Sequence, residues 1–187
     1  MDIYLIRHTK TCAQPGLCYG QSDIDLAESF SEDCQALKRK LPPLTSASRV
    51  YSSPLSRCQA LAQQLCGEIT TDERLTEINF GDWEGLRFDD IAQDRLRQWT
   101  DNFVEQAPPN GESFTDLCRR TGEFWQDMLS TSYDQILVVT HAGTIRALLT
   151  QVLDLPPANA FRIKVGIGSV HKLQHESGYT YIDYLNH

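Results

Sequence analysis

The sequence lacks a long apolar run, and no stretch approaches the roughly 18 residues that a membrane-spanning helix requires. The amino terminus also lacks the basic region and the long apolar segment of a secretory signal, and it begins directly with a strand-like pattern. We therefore expect no membrane partner and a cytoplasmic location.

Positive charge is also scarce, since 17 Lys and Arg stand against 25 Asp and Glu and give a net charge of −8. A nucleic-acid partner requires the opposite balance, so we expect no nucleic-acid partner. A small anionic substrate is still compatible with this composition because a pocket needs only a few local cations.

The six cysteines form neither a C-x-x-C pair nor a metal-ligand spacing. A chain of this size does not need a disulfide framework, so we expect free, mostly buried thiols and no bound metal. The cysteines are Cys12, Cys18, Cys34, Cys58, Cys66 and Cys118.

Apolar runs that look buried on both faces alternate with helical patterns along the chain. Tyr4, Leu5 and Ile6 are consecutive rather than alternating, which is typical of a strand in a parallel sheet, and residues 135–140 repeat this pattern. Helical patterns cover residues 26–41, the stretch from Pro54 (with Ser53 as its N-cap) to a stop at Gly67, residues 113–128 and residues 145–152. The predicted fold class is α/β, a three-layer α/β/α sandwich with a mostly parallel central sheet.

No repeat, low-complexity tract or linker divides the chain, so we expect a single domain over residues 1–187. Residues 77–85 are interpreted as an ordered loop, and the charged and aromatic stretch after them predicts one or two short helices. We expect these helices to form a small cap insertion at about residues 82–110. The tail predicts strands at residues 162–165, 169–174 and 179–184, the last two joined in a hairpin at Ser177-Gly178.

Charged and titratable side chains follow the predicted strand ends. Arg7 and His8 follow the first strand, and His141 follows the clearest buried strand. Residues 49–52 predict a second short strand, and Arg57 lies in the first turn of the helix after it. Glu77 lies on the ordered loop. Taken singly, a structural His, a surface Arg or a solvated carboxylate explains each of them. Ligands of open α/β sheets bind beyond the carboxyl ends of the strands, so convergence at one sheet edge indicates a site.

Phosphoryl transfer is the chemistry that needs this set of groups. The guanidinium groups of Arg7 and Arg57 match phosphate oxygens with paired N–H donors. His141, at a helix amino terminus with free backbone N–H groups, adds donors where negative charge develops. A neutral His8 imidazole can attack phosphorus, and Glu77 can protonate the leaving oxygen and later activate water.

Four motifs carry a resemblance to a known family, and they occur in the family's order across nearly the whole chain. They are Ile6-Arg7-His8-Thr9, residues 51–57 (YSSPLSR), residues 75–85 (LTEINFGDWEG) and residues 139–143 (VTHAG). The pattern resembles the histidine phosphatase, or phosphoglycerate mutase-like, superfamily. The resemblance implies that superfamily's fold, no cofactor, and His8 as the nucleophile that carries phosphate on Nε2. It also implies Glu77 as the proton donor and a phosphate-binding set of Arg7, Arg57 and His141.

Three further segments look most like the α-ribazole phosphatases of cobalamin nucleotide-loop assembly, which remove the 5′-phosphate from the α-ribazole nucleotide. They are residues 16–23, 80–84 and 110–114. A small-molecule phosphate ester is therefore the expected partner. The substrate-binding positions that the resemblance implies are Arg7, Gln14, Gly20, Gln21, Arg57, Glu77, His141 and Ala142.

Three positions depart from the superfamily pattern. Thr9 stands in place of a Gly, Gln14 in place of an Asn that contacts phosphate, and Leu61 in place of a Thr. These changes affect the expected geometry of the substrate and leave the expected reaction type unchanged.

The charges around Glu77 bear on the alternative functions. A mutase needs extra cations for a second anionic group, but no basic residue follows Glu77 directly and the cap is net acidic. A phosphatase for a substrate with a neutral or aromatic body is therefore favoured, with a general phosphomonoesterase and a mutase as alternatives. A non-catalytic phosphate-binding module is disfavoured because His8 and Glu77 are both present. A metal hydrolase is disfavoured because the neighbouring arginines would repel a cation.

The cap is rich in aromatic residues, and one of Trp83, Phe88 and Trp99 is a candidate to pack against the substrate body. The alternative, that these rings form the core of short cap helices, explains them equally well. The sequence indicates no oligomeric state.

Overall fold

The computed structural model describes residues 1–187, and a six-stranded sheet lies at its centre. The strands are β1 (Asp2–Arg7), β2 (Ser48–Ser52), β3 (Thr70–Thr71), β4 (Gln135–Thr140), β5 (Val170–Glu176) and β6 (Tyr179–Tyr184). They lie in the order β3-β2-β4-β1-β5-β6. The first four strands in that order are parallel, and β5 and β6 are antiparallel additions at one edge.

Five α-helices accompany the sheet: α1 (Phe30–Lys38), α2 (Ser56–Leu65), α3 (Gln93–Asn102), α4 (Phe114–Leu129) and α5 (Ala142–Val152). Short 3₁₀ turns lie at Glu73–Leu75, Gly81–Trp83, Phe88–Asp90 and Pro157–Arg162. No helix is both long enough and apolar enough to cross a membrane.

Side chains of β1 point alternately into two hydrophobic cores. Ile3 and Leu5 pack with residues of α4 and α5, whereas Tyr4 and Ile6 pack with residues of α1 and α2. Helices therefore cover both faces of the sheet, which explains why the strand is continuously apolar. The predicted α/β/α sandwich with a mostly parallel sheet is confirmed.

Three predicted helix boundaries are wrong, and one of them is the end of α1, which lies at Lys38 rather than at Leu41. Helix α1 begins at Phe30 rather than at Leu26, because Leu26 instead forms an isolated antiparallel bridge with Thr11. Helix α2 begins at Ser56 rather than at Pro54. Ser53 is not its N-cap, since the Ser53 hydroxyl contacts the side chain of His141.

Residues 162–165 were predicted to form a strand, and this prediction is also wrong. Their carbonyl groups are hydrogen-bonded by arginine side chains rather than by a neighbouring strand. Arg146 Nε donates to the Ile163 carbonyl at 3.1 Å, and Arg7 Nη1 donates to the Val165 carbonyl at 2.8 Å. This segment therefore lies against the site that Arg7 helps to form.

The segment between β3 and α4 contains the predicted short helices, α3 and the 3₁₀ turn at Phe88–Asp90. Its aromatic side chains pack together around Trp83, which is 6% exposed. Trp99 lies 5.7 Å from Trp83 and 5.8 Å from Phe80 between ring centroids, in both cases edge to face. The aromatic residues of this segment thus form a small core of their own.

Candidate active site

Two imidazole rings lie side by side at the carboxyl ends of two neighbouring parallel strands. His8 follows β1 and His141 follows β4, and the register of the two strands pairs Arg7 with Thr140. The ring centroids are consequently 5.2 Å apart. His8 is 4% exposed and His141 is fully buried, so the pair lies at the bottom of the site.

The tautomer of His8 is set by its neighbour in the chain. Its Nδ1 lies 2.8 Å from the Thr9 carbonyl, which can only accept a hydrogen bond, so Nδ1 carries the proton and Nε2 keeps its lone pair. Burial, reinforced by the charges of Arg57 and Arg7, lowers the pKa of His8 to about 3. The ring is therefore neutral at ordinary pH and has an available lone pair on Nε2.

His141 is held through both ring nitrogens. Arg57 Nε donates to its Nδ1 at 3.3 Å, so Nε2 carries the proton and donates to the Ser53 hydroxyl at 2.8 Å. Burial, with the influence of His8 and the charge of Arg57, lowers the pKa of His141 well below its usual range. Both imidazoles of the site are thus neutral.

Arg57 is fully buried and lies in the first turn of α2. Its terminal nitrogens donate to the carbonyl groups of Gly20, at 2.5 Å, and Ser22, at 2.9 Å. The Asp23 carboxylate lies 4.0 Å away and is largely exposed, and the guanidinium also lies over the Tyr19 ring at 5.4 Å. Neutral carbonyl groups therefore orient the Arg57 guanidinium, and no close carboxylate neutralises its positive charge.

Arg7 contributes a second guanidinium. Its Nη1 donates to the Val165 carbonyl, but its buried Nε has no hydrogen-bond partner. Burial lowers the pKa of Arg7, although the nearby Glu77 carboxylate opposes this shift. A buried donor without a partner is costly, and here it is what a site for an anion requires.

The Glu77 carboxylate lies at the amino end of α5. Its Oε2 accepts from the Gly143 backbone N–H at 2.9 Å, and its Oε1 accepts from those of Thr144 at 3.2 Å and Ile78 at 3.0 Å. The expectation that the backbone N–H groups at this helix end would be free is therefore wrong for Gly143 and Thr144. The same helix end instead orients the candidate proton donor beside the two histidines.

The remaining predicted positions divide into two groups. Gly20 and Gln21 lie against the site, because Gly20 accepts from Arg57 and Gln21 Nε2 donates to the Glu77 carbonyl at 3.1 Å. Ala142 is the first residue of α5, directly after His141. Gln14 is exposed and its side chain makes no hydrogen bond, so its contact with phosphate stays a prediction.

Arg146 was missed by the sequence analysis. It lies three residues after Gly143 and four after Ala142, which puts it on the same face of α5. Its Nε donates to the Ile163 carbonyl, its terminal nitrogens make no hydrogen bond, and its guanidinium lies 5.1 Å from the Phe161 ring. Burial lowers the pKa of Arg146, and the Glu77 charge opposes this shift. The helical spacing from His141-Ala142-Gly143 is the signal that could have revealed it.

Arg120 of α4 is a second residue that the sequence analysis missed. It donates to the carbonyl groups of Arg74, Thr76 and Glu77, and it pairs with the Glu112 carboxylate at 2.6 Å. It thereby fixes the loop that carries Glu77. No spacing in the sequence links Arg120 to that loop, so only the tertiary structure reveals this contact.

Cations outnumber carboxylates at this sheet edge, where Arg7, Arg57 and Arg146 lie with two acids, Glu77 and the largely exposed Asp23. Two neutral imidazoles complete the set. No group of three or more His, Cys, Asp or Glu side chains is arranged to hold a metal ion. The arrangement can bind a phosphate group and offers it both a neutral nitrogen nucleophile and an acid.

Fold and site together define a protein of the phosphoglycerate mutase-like class, and solved structures agree. The α-ribazole phosphatase from Shigella flexneri matches with a TM-score of 0.91 and 26% identity over 100% of this chain and 96% of that one. A mycobacterial glucosyl-3-phosphoglycerate phosphatase matches with a TM-score of 0.86 and 26% identity, over 99% of this chain and 98% of that one.

The model of the histidine phosphatase superfamily (branch 1) matches residues 3–187, and the chain belongs to this superfamily. A Hydrogenobacter thermophilus protein, provisionally named phosphoserine phosphatase 2, is 28% identical over 99% of this chain and 96% of its own length. The adenosylcobalamin/α-ribazole phosphatase of Escherichia coli is 28% identical over 90% of this chain and 87% of its own length. The named relatives are thus phosphatases of small phosphorylated molecules, and the chain is a phosphatase of the same superfamily.

Proposed function

We propose that this protein hydrolyses a small phosphomonoester through a phosphohistidine formed on His8. The observation that carries the proposal is the state of His8, a buried neutral ring whose Nδ1 proton is committed to the Thr9 carbonyl. Its Nε2 lone pair is thereby available beside two guanidinium groups. A neutral nitrogen nucleophile next to fixed cations is what attack on a phosphate ester requires.

In the proposed reaction, Arg7 and Arg57 bind the phosphoryl oxygens. His141 joins them as the tautomer with its proton on Nδ1, once Arg57 releases that nitrogen, while Nε2 accepts from the Ser53 hydroxyl, which can donate as well as accept. His8 Nε2 forms a bond to phosphorus while the ester P–O bond breaks, and Glu77, which enters this step as the protonated acid, gives its proton to the departing alkoxide and becomes a carboxylate. The Glu77 carboxylate then takes a proton from water, whose oxygen attacks phosphorus as the N–P bond breaks. Inorganic phosphate leaves, and His8 and Glu77 return to their starting states.

As the substrate we propose α-ribazole 5′-phosphate, converted to α-ribazole in cobalamin biosynthesis. The proposal is supported by relatives and structural neighbours named as α-ribazole phosphatases. Relatives named for phosphoserine and glucosyl-3-phosphoglycerate have similar identity to this chain. A general phosphomonoesterase or a mutase of the same superfamily is therefore the alternative. The net acidic cap favours a substrate whose body is not a second anion.

An aromatic side chain other than the cap residues named from the sequence is the better candidate to contact the substrate body. Trp83 and Trp99 pack into the core of the cap, and Phe88 packs edge to face on Phe80 at 6.4 Å. Phe161, in contrast, is 60% exposed and rests on Phe103, at 5.0 Å, and on Arg146. We assign the aromatic contact with the substrate body to Phe161.

Phosphate release from a panel of esters tests the proposed function. The panel holds α-ribazole 5′-phosphate, nucleoside 5′-monophosphates, phosphoglycerates and p-nitrophenyl phosphate, all in the presence of EDTA. We expect selective hydrolysis of α-ribazole 5′-phosphate that is lost in His8→Ala. Broad, weak turnover would remove the cobalamin assignment and keep the mechanism. Exchange of phosphate between phosphoglycerates with little free phosphate would favour a mutase.

A further inference from the structure

A single carboxylate of the cap, that of Glu84, binds the segment Gly20–Ser22 next to the site. It accepts from the backbone N–H groups of Gly20 at 3.0 Å, Gln21 at 2.9 Å and Ser22 at 3.0 Å, and from the Ser22 hydroxyl at 2.5 Å. The Phe80 N–H adds a fifth bond at 3.1 Å. Glu84 forms no ion pair, so these donors alone balance its charge.

The carboxylate stays ionised in this partly buried position. Burial alone would raise the pKa of Glu84, but the hydrogen bonds from Gly20, Ser22 and Gln21 outweigh burial and lower it. The segment is also pressed tightly against its surroundings. A Cβ on Gly20 would collide with the Ile78 carbonyl, so only glycine fits at this position.

The same segment is bound from its other side by Arg57. While the N–H groups of Gly20 and Ser22 point to Glu84, their carbonyl groups accept from the two terminal nitrogens of Arg57. The peptide unit between Gly20 and Gln21 is bound at both ends, because its N–H, on Gln21, donates to Glu84 and its carbonyl, on Gly20, accepts from Arg57. Its dipole is thus aligned from a fixed anion to a fixed cation, an arrangement in which each hydrogen bond polarises the next. Gln21 extends the connection, because its side chain donates to the Glu77 carbonyl.

From this geometry we propose that Glu84 is a positioning residue for the phosphate site. Glu84 does not touch the substrate. It fixes Gly20–Ser22, and those carbonyl groups hold the Arg57 guanidinium in the orientation that binds phosphate. The proposal rests on the proposed function only in so far as the site binds phosphate, and it assigns to the cap a role in phosphate affinity.

The test compares Glu84→Gln with a matched control in the same cap loop, Asp82→Asn. The Gln side chain keeps the size of Glu84 but replaces one acceptor oxygen with a donor group and removes the charge. Asp82 is an exposed carboxylate whose side chain contacts only Asn110. Ser22→Ala is a milder second variant, because it removes one bond to Glu84 and keeps the Ser22 carbonyl that Arg57 uses.

Calorimetric binding of inorganic phosphate is the readout, with competitive inhibition by phosphate as its kinetic counterpart. We expect phosphate affinity to fall about tenfold or more in Glu84→Gln and by a smaller factor in Ser22→Ala. Asp82→Asn should stay within about twofold of the wild type, in keeping with the small effect of an exposed contact. A merely structural Glu84 would reduce the fraction of active protein and leave the affinity of the remaining sites unchanged.

Unchanged phosphate affinity in both Glu84→Gln and Ser22→Ala would overturn the proposal. If Glu84→Gln does not fold, Ser22→Ala decides the question by the same measurement. Because phosphate binding needs no turnover, this result is independent of the proposed reaction. A wild-type protein that binds phosphate but shows no turnover dependent on His8 would refute the proposed function alone.

Discussion

The hydroxyl of Ser53 determines which nitrogen of His141 is free to meet a ligand. It accepts the Nε2 proton at 2.8 Å, which leaves Nδ1 facing Arg57 on the side of the site. A phosphate that displaces the Arg57 contact would meet a ring whose orientation is already fixed. With the proton on Nδ1, facing the phosphate, the Ser53 hydroxyl would donate to Nε2 instead of accepting from it. Such fixed orientation is what allows a neutral imidazole to act without reorganisation.

Replacing Ser53 by Ala should lower kcat/KM by about tenfold, because His141 loses the partner that fixes its tautomer and its buried Nε2–H is left unsatisfied. The matched control is Ser52→Ala. Ser52 is equally buried, but its hydroxyl bonds to the Ser53 carbonyl and does not touch His141. Steady-state kinetics check both variants, and equal losses in the two would refute a specific role for Ser53.

Phe161→Ala should raise KM for esters with an aromatic body by about fivefold to tenfold, the cost of losing one aromatic contact. Ribose 5-phosphate, which has no base, should be affected much less. Phe88→Ala is the matched control because Phe88 packs within the cap. If Phe88→Ala raises KM more than Phe161→Ala does, the substrate body contacts the cap, as the sequence suggested, and not Phe161.

The sequence could predict the residues that follow strand ends, because the position of a strand end is local information. Arg7, His8 and His141 were found in this way, and the structure brings them together. Glu84 and Arg120 act on backbone groups far away in sequence, so no local pattern reveals what they contact. The two interpretations of the cap aromatics could not be separated from the sequence, because the tertiary structure decides which rings pack together.

At the scale of single elements, α4 is the helix with a complete capping box. The Ser113 hydroxyl accepts from the Asp116 backbone N–H at 3.1 Å, and the Asp116 carboxylate accepts from the Ser113 backbone N–H at 3.3 Å. This helix carries Arg120 and packs against α5. Its stability therefore supports the loop that holds Glu77.

Ser113→Ala should lower the free energy of unfolding by about 1 kcal/mol, since the cap of α4 is lost. Ser130→Ala at the carboxyl end of α4 is the control, because its hydroxyl makes only an exposed contact with the Asp127 carbonyl. Urea denaturation measures both variants. A lower midpoint with an unchanged slope is expected for Ser113→Ala, and the same midpoint for both variants would contradict a specific role for the cap.

Element boundaries were predictable where a cap or a run of apolar residues defined them. The strand at Gln135–Thr140 and the N-cap at Ser113 are confirmed. The predicted boundaries are wrong where a backbone carbonyl or a side chain contacts a residue that is distant in the sequence. Ser53 is taken by His141, and the carbonyl groups of Ile163 and Val165 are taken by two arginines. These contacts belong to the candidate site, so tertiary contacts of the site override local structural propensity there.

At the scale of the whole molecule, three buried histidines couple stability to pH. Burial lowers the pKa of His8 to about 3 and that of His171 to about 4, and it also lowers the pKa of His141 well below its usual range. In the unfolded chain their usual value is about 6.5. As pH falls below about 6.5, the unfolded chain binds protons that the native protein does not bind.

The free energy of unfolding should therefore decrease as pH falls from about 6.5 to about 4, by up to about 1.4 kcal/mol per pH unit for each buried histidine. His171 lies outside the site. His171→Asn should reduce the dependence of the free energy of unfolding on pH by the contribution of one buried histidine. Denaturant unfolding at several pH values measures the slope. A stability that is constant or rises as pH falls over this range would contradict neutral burial of the histidines.

The whole fold was predictable because continuous apolar strands and amphipathic helices must form layers. Four parallel strands with helices on both faces follow from that pattern. The segment between β3 and α4 contains Glu84, and we propose that it acts as a cap through this residue. How the cap and the sheet edge meet could not be predicted, because that contact depends on one carboxylate and the backbone of a distant loop.

Trapping of the phosphoenzyme tests the central claim most directly. The protein is mixed with a phosphate ester, quenched rapidly under alkaline conditions that preserve phosphohistidine, and mapped by mass spectrometry. We predict one phosphate per chain on the peptide that contains His8, bound at Nε2, and none in His8→Ala. Phosphate on another residue, or full turnover in His8→Ala, would contradict the account.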